Sequence, residues 1–130
     1  MNTVEKALEM NGKGFNCAQC VLTAMREYTE LDEETALAIA AGFGGGVRSG
    51  EICGAISGGA MALGMAFPFT DAADLDAKQT IASLAAQLVS RAQEEYGAVQ
   101  CRDLKGNGVT CDELIAGLAR ITEEMIYTNK

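Results

Sequence analysis

The chain has 130 residues, a net charge of −8 and a pI of about 4.4; 48% of its residues are hydrophobic and 22% are charged. This length and composition predict one compact domain over residues 1–130, and the acidic balance excludes the basic footprint that nucleic-acid-binding proteins need. Aromatic residues are scarce and there is one proline, which favours closely packed helices over a β-sandwich.

The N-terminal segment predicts an amphipathic helix over residues 3–10, because Val4, Ala7 and Leu8 recur at helical spacing. The segment lacks the apolar stretch of a signal peptide, so we expect a cytoplasmic protein. In the cytoplasm, free thiols and metal-bound thiolates are more common than structural disulfides.

A second helix is predicted over residues 17–28. Asn16 is a suitable N-cap, and Gln19, three residues later, completes the pattern of a capping box. The residues expected to face the core are Val21, Leu22 and Met25.

The third predicted helix follows Asp32 as its N-cap and covers residues 33–43. Its apolar residues are nearly continuous, so we expect most of its surface to be buried. The glycine-rich segment 42–51 is predicted to be irregular. The next helix, over residues 52–67, is apolar but shorter than the roughly 20 residues of a membrane span, so we expect a buried helix and no membrane insertion.

The longest predicted helix covers residues 72–96 and ends at Gly97. A short helical turn over residues 101–108 follows, and then Thr110 caps the last helix, with Glu113 as its capping-box partner. The inward residues of these two long helices are predicted to be Ile81, Leu84, Ala85, Leu88, Leu114, Ile115, Leu118, Ile121 and Met125. The fold is therefore predicted to be all-α, a single compact bundle of five or six helices with a buried glycine-rich central helix.

The chain has five cysteines and no histidine, which excludes Cys-His and Ser-His nucleophile pairs and histidine-ligated zinc or haem. Cys17, Cys53, Cys101 and Cys111 fall at or next to predicted helix starts, and Cys20 lies one turn inside its helix. The unpaired N–H groups and positive field of a helix start stabilise a thiolate, so we expect a lowered pKa there. A thioredoxin-like C-x-x-C is disfavoured, because no strand precedes the pair Cys17 and Cys20.

Four motifs resemble the bacterial C_GCAxxG_C_C family of small redox-active proteins. They are NCAQ (16–19), GFGGGVRSGEICGAISGGAMALG (42–64), CRDL (101–104) and CDELI (111–115). The resemblance covers nearly the whole chain and implies a redox role for the four family cysteines. These fall on Cys17, Cys53, Cys101 and Cys111, and Cys20 is an addition to the pattern.

The glycine run of this motif has a physical interpretation. Gly44, Gly45 and Gly46 allow positive φ and close approach, so the loop is predicted to wrap a cysteine cluster or its cofactor, and Arg48 adds a positive charge. A plain flexible connection is the alternative.

Three hypotheses remain open for the cysteines. The first is thiol–disulfide or electron-transfer chemistry, with a redox partner that the sequence does not name. The second uses Cys17, Cys53, Cys101 and Cys111 as ligands of an iron–sulfur cluster or another thiolate-bound metal. The third is a helical interaction module whose cysteines only pack in the core. The apolar helix faces also suggest a homodimer.

Overall fold

Eight α-helices make up the regular structure in the computed structural model, which describes all 130 residues. They are α1 (Thr3–Gly12), α2 (Cys17–Ala24), α3 (Arg26–Thr29), α4 (Glu33–Ala40), α5 (Gly54–Ala66), α6 (Leu75–Tyr96), α7 (Cys101–Gly106) and α8 (Cys111–Asn129). None of them is both long and apolar enough to cross a membrane.

The all-α class is confirmed, whereas the predicted count of five or six helices is wrong. The predicted second helix breaks at Met25, whose backbone leaves helical dihedral angles while its side chain stays fully buried. The expected turn after Gly97 is a separate helix, α7. The sequence pattern did not predict the break, because Met25 is apolar and lies at helical spacing from Val21 and Leu22 whether or not the helix continues through it.

Side-chain caps begin several helices at the predicted residues. Asn16 accepts a hydrogen bond from the N–H of Gln19 (2.9 Å), and the Gln19 side chain accepts one from the N–H of Asn16 (3.0 Å), a complete capping box. Asp32 caps α4. Thr110 caps α8 through the N–H of Glu113 (3.2 Å), but only this half of the predicted capping box forms.

The core is one cluster of 28 buried hydrophobic residues in which α2, α5 and α8 contact one another. Helix α5 approaches α2 very closely. A Cβ atom added to Gly58 would lie 2.7 Å from the carbonyl oxygen of Ala18 and 3.2 Å from the Cβ of Val21. Glycine is therefore the residue that permits this packing distance.

Two predicted inward faces are wrong in part. Leu8 is 37% exposed and Met10 is buried in its place, which rotates the inward face of α1. Helix α4 is not mostly buried: only Ala36 and Ala40 are, and Ile39 is 49% exposed. Helix α4 has its main helical contact with α2, so its opposite side has no neighbour to cover it.

The connection between α4 and α5 contains a 3₁₀ turn at Ala41–Phe43 and then a left-handed turn. Residues 45–48 all have positive φ, at 65°, 64°, 57° and 56°. Val47 is β-branched and rarely adopts this conformation, so the surrounding structure must hold it there.

An isolated antiparallel bridge joins this connection to the segment before α7. Ile52 pairs with Gln100. On the two sides of that pair, the N–H groups of Cys53 and Cys101 donate to backbone carbonyls of the opposite segment, at 2.8 Å and 2.6 Å. The bridge therefore sets the start of α5 beside the start of α7.

Arg102 closes the left-handed turn from the outside. Its guanidinium donates to the carbonyl oxygens of Gly50 (3.1 Å) and Ser49 (3.2 Å) and forms an ion pair with Glu51. These contacts help to hold the turn in its positive-φ conformation next to α7.

Candidate functional site

Four helix starts meet around one cavity of about 220 Å³. Cys17, Cys101 and Cys111 are the first residues of α2, α7 and α8, and Cys53 is the N-cap residue of α5. All four line this cavity, while Cys20 does not. The structure therefore brings together the four cysteines that the sequence singled out.

Close packing at a glycine brings Cys17 toward Cys53. A Cβ atom added to Gly54 would lie 3.3 Å from the backbone nitrogen of Ala18 and 3.5 Å from the Cβ of Cys17. Gly54 directly follows Cys53, so the start of α5 sits against the start of α2. A larger residue at this position would separate the two cysteines.

The β-bridge brings Cys53 and Cys101 together. Each follows a residue of the bridged pair, Ile52 or Gln100, and successive side chains of extended backbone point to opposite faces. Cys53 and Cys101 therefore project from the same face of the bridge as diagonal neighbours, a separation of about 7–8 Å between Cα atoms.

The five thiols differ in exposure, and none forms a disulfide. Cys111 is exposed, Cys17 and Cys101 are half-buried, and Cys53 and Cys20 are buried. Cys111 is therefore the thiol that a molecule in solvent reaches most easily.

The pKa of Cys17 is raised well above its ordinary value, first by burial and then by the nearby sulfurs of Cys111 and Cys53. The pKa of Cys53 is also raised, chiefly by burial, although the N–H groups at Ala55 and Ile56 act in the opposite direction. The expectation of a lowered pKa is therefore wrong for both thiols. Burial and the neighbouring sulfurs have a larger effect on the pKa than the helix start. The free energy needed to take a thiolate out of water exceeds the stabilisation that the helix N-terminus provides.

Cys20 is a core residue. It is fully buried, and its thiol donates a hydrogen bond to the carbonyl oxygen of Phe15 at 3.5 Å. Burial and the nearby Cys111 raise its pKa to about 11. These surroundings favour the neutral thiol.

The four residues of the glycine loop occupy different places. Gly45 and Arg48 line the cavity. Gly44 is buried against Asn16, where an added Cβ would lie 2.6 Å from the Asn16 side chain. Gly46 packs against the backbone of residue 51. Gly45 and Arg48 therefore reach the cavity, whereas Gly44 and Gly46 pack against neighbouring residues of the protein and do not line it.

The remaining lining residues were not predicted from the sequence. They include four apolar residues (Phe15, Leu104, Val109 and Leu114) and two polar ones (Asn11 and Lys105). A signal for Lys105 was present: it follows Cys101 by four residues on α7, and residues at this spacing share a helix face. Asn11 has no such signal, because it lies on α1, a helix that contains no cysteine.

The sequence also left open a metal site at the four cysteines. No three of the chain's Cys, Asp and Glu side chains are gathered closely enough to hold one metal ion.

One family model matches most of the chain. Its description is "Putative redox-active protein (C_GCAxxG_C_C)", and it matches residues 15–125. No curated protein and no solved structure matches the chain.

Proposed function

The chain belongs to the C_GCAxxG_C_C family, whose description is that of redox-active proteins, and on that premise we propose that it carries out thiol–disulfide exchange. The observation that carries the proposal is the convergence of Cys17, Cys53, Cys101 and Cys111, all as free thiols, on one cavity. Four free thiols on one cavity can exchange with one another and with a disulfide that enters it.

Cys111 is the attacking thiol in this proposal. It is the exposed cysteine of the four, and attack on a disulfide requires access. It is also the first residue of α8, a helix of 19 residues that Thr110 caps. The thiolate is the nucleophilic form in this exchange.

Cys17 is the resolving thiol in this proposal. Among the neighbouring sulfurs, that of Cys111 raises the pKa of Cys17 most, which indicates that the two sulfurs lie close together. The Cys111 thiolate attacks one sulfur of a disulfide RSSR; a Cys111–SR bond forms, the S–S bond breaks, and RS⁻ leaves and takes up a proton. The Cys17 thiolate then attacks the Cys111 sulfur, forming the Cys17–Cys111 disulfide and releasing a second RS⁻. The protein loses two electrons and two protons, and RSSR becomes two RSH.

The charge change during this reaction favours the second step. A thiolate at Cys111 raises the pKa of Cys17, and that charge disappears when the mixed disulfide forms. Cys17 then ionises more easily, at the stage when its thiolate is needed.

Cys53 and Cys101 form the second pair of the proposal, and because their Cα separation of about 7–8 Å exceeds the span of an unstrained disulfide, they join only when the backbone moves. The β-bridge sets them on one face, and Cys101 is the first of the nearby sulfurs that raise the pKa of Cys53. Cys53 is buried, so this pair exchanges with the first pair more readily than with a molecule in solvent.

The test is oxidation of the reduced protein with a neutral disulfide, bis(2-hydroxyethyl) disulfide, followed by alkylation and peptide mapping by mass spectrometry. With one equivalent of the disulfide per chain, we expect loss of two thiols and a peptide pair joined through Cys17 and Cys111. Cys17→Ser should trap the mixed disulfide on Cys111, because no resolving thiol remains. Cys111→Ser should slow the reaction by about tenfold or more, because the exposed nucleophile is gone.

Cys20→Ala is the matched control, since it removes a cysteine that lies outside the cavity. It should react at the wild-type rate. Equal rates for the wild type and Cys111→Ser, or a linked pair that includes Cys20, would contradict the proposal.

A further inference from the structure

The charged residues that line the cysteine cavity are cationic, whereas Glu51 and Asp112 contact lining residues from outside, through an ion pair with Arg102 and a hydrogen bond from Asn11. A shallow groove of about 350 Å³ adjoins the cavity, and the two share Arg48, Cys101 and Lys105. Arg102 lines the groove as well, and neither lining contains an Asp or Glu. The whole chain has 18 acidic and 10 basic residues, so this local excess of positive charge runs against the composition.

Two of these cations are free to bind a ligand. Arg102 is already engaged by Glu51 and by backbone carbonyls. Arg48 and Lys105 form no ion pair and no side-chain hydrogen bond, and both are exposed.

Both free cations line the cavity that the four cysteines share. Lys105 lies one helical turn after Cys101 on α7. Arg48 ends the run of four positive-φ residues, and this turn is closed by Arg102 and by the packing of Gly46 on residue 51. Arg48 is therefore presented to the cavity by a constrained backbone.

We propose that the cavity takes small disulfides that carry carboxylates, with the carboxylate bound by Arg48 and Lys105 and the S–S bond presented to Cys111. This substrate class rests on the thiol–disulfide function proposed above. A guanidinium binds a carboxylate through two parallel hydrogen bonds, and the ammonium adds a second positive charge.

The shape of the cavity supports a small ligand. Its volume of about 220 Å³ lies below the roughly 300–1,000 Å³ of pockets that hold drug-sized ligands. Its wall includes Leu104, Val109 and Leu114, which suit the aliphatic carbons between a sulfur and a carboxylate. The exchange is the one described above, and the carboxylates are not changed by it.

The first test compares three disulfides of similar size and different charge: 3,3′-dithiodipropionate (dianionic), bis(2-hydroxyethyl) disulfide (neutral) and cystamine (dicationic). At low ionic strength the reduced protein should react with them in that order, with the dianion about tenfold faster than the neutral compound. The preference should fall as salt is added, because both cations are exposed.

The double variant Arg48→Gln/Lys105→Gln should lower the ratio of the dianionic to the neutral rate about tenfold. The control Lys6→Gln/Lys78→Gln removes the same charge away from the cavity and should keep the wild-type ratio. The carboxylate site would be overturned if the ratio of the dianionic to the neutral rate were the same in all three proteins. It would also be overturned if both double variants lost the preference for the dianion. Either result would leave the exchange function intact.

The second test separates the site from the exchange chemistry. Adipate has two carboxylates and no sulfur, and its binding is followed by amide chemical-shift changes in NMR. We expect shifts at Gly45 and Lys105 in the wild type and none in the Arg48→Gln/Lys105→Gln variant. If no disulfide reacts but adipate binds, the proposed function fails and the anion site stands; if adipate causes no shift at these residues, the anion site is overturned.

Discussion

Burial, rather than position at a helix start, sets the direction of the pKa shifts of Cys17 and Cys53. The field of a helix start stabilises an anion by about 0.3–1 kcal/mol, and one pKa unit corresponds to about 1.4 kcal/mol. Transfer of a thiolate out of water costs more than this, so the pKa values of Cys17 and Cys53 rise.

The pH dependence of stability should report the buried thiol of Cys20. Its pKa is 9.0 in the unfolded reference and about 11 in the fold, so the folded state holds the proton more tightly. The stability from this thiol is therefore complete below pH 9 and is lost as the pH rises through 11. In urea denaturation of the reduced protein, the advantage of the wild type over Cys20→Ala should shrink by about 2–3 kcal/mol between pH 8 and pH 11.

Other groups also titrate in this range, and the comparison with Cys20→Ala removes their contribution. A constant difference in unfolding free energy between the two proteins across this pH range would show that the Cys20 thiol ionises as it does in the unfolded chain.

At the scale of the elements, close approach between α2 and α5 positions the cavity. Cys17 and Cys53 stand at the starts of these helices, and small residues let the helices touch at the backbone. The glycines of α5 have different surroundings. An added Cβ would meet the Ala18 carbonyl at Gly58, but it would meet nothing within 4 Å at Gly64.

Alanine substitution should therefore have opposite effects at these two positions of one helix. Gly58→Ala should lower the free energy of unfolding by about 1–3 kcal/mol, because backbone has to shift to admit the methyl group. Gly64→Ala should raise it by up to about 1 kcal/mol, because alanine favours the helix over glycine and has open space. Urea denaturation of both variants and of the wild type measures these changes in the free energy of unfolding.

Gly64→Ala is also the control for a general effect of alanine in α5. If Gly58→Ala were as stable as the wild type, α2 and α5 would not be in backbone contact, and the account of how Cys17 reaches Cys53 would be wrong.

At the scale of the whole molecule, the fold joins segments from both ends of the chain. Helices α2 and α8 contact each other although Cys17 and Cys111 lie far apart in sequence. A disulfide between them would close a loop that includes most of the chain, and a loop of this size restricts the unfolded state strongly.

Oxidation should therefore stabilise the protein. For the Cys17–Cys111 disulfide we expect a gain of about 4 kcal/mol in the free energy of unfolding, measured by urea denaturation with and without reductant. Cys111→Ser should show no gain under the same oxidising conditions. A wild type that is less stable when oxidised would indicate that this disulfide distorts the fold, and a different pair would then be the redox couple.

Local residue patterns determined the helical class, several caps and the four cysteines of interest. The Asn16–Gln19 capping box depends on residues three apart, and the inward face of α8 depends on a repeat within one helix, so both can be predicted without a fold. The motifs around the cysteines likewise identify the family, because they are contiguous in the chain.

The tertiary structure alone decided what surrounds each of those residues. The exposed side of α4, the bridge between Ile52 and Gln100, and the cations Arg48 and Lys105 at one cavity all depend on which segments become neighbours. The raised pKa of Cys17 depends on burial by distant parts of the chain. Periodicity within a segment carries no information about these contacts, because they join residues that are far apart in sequence.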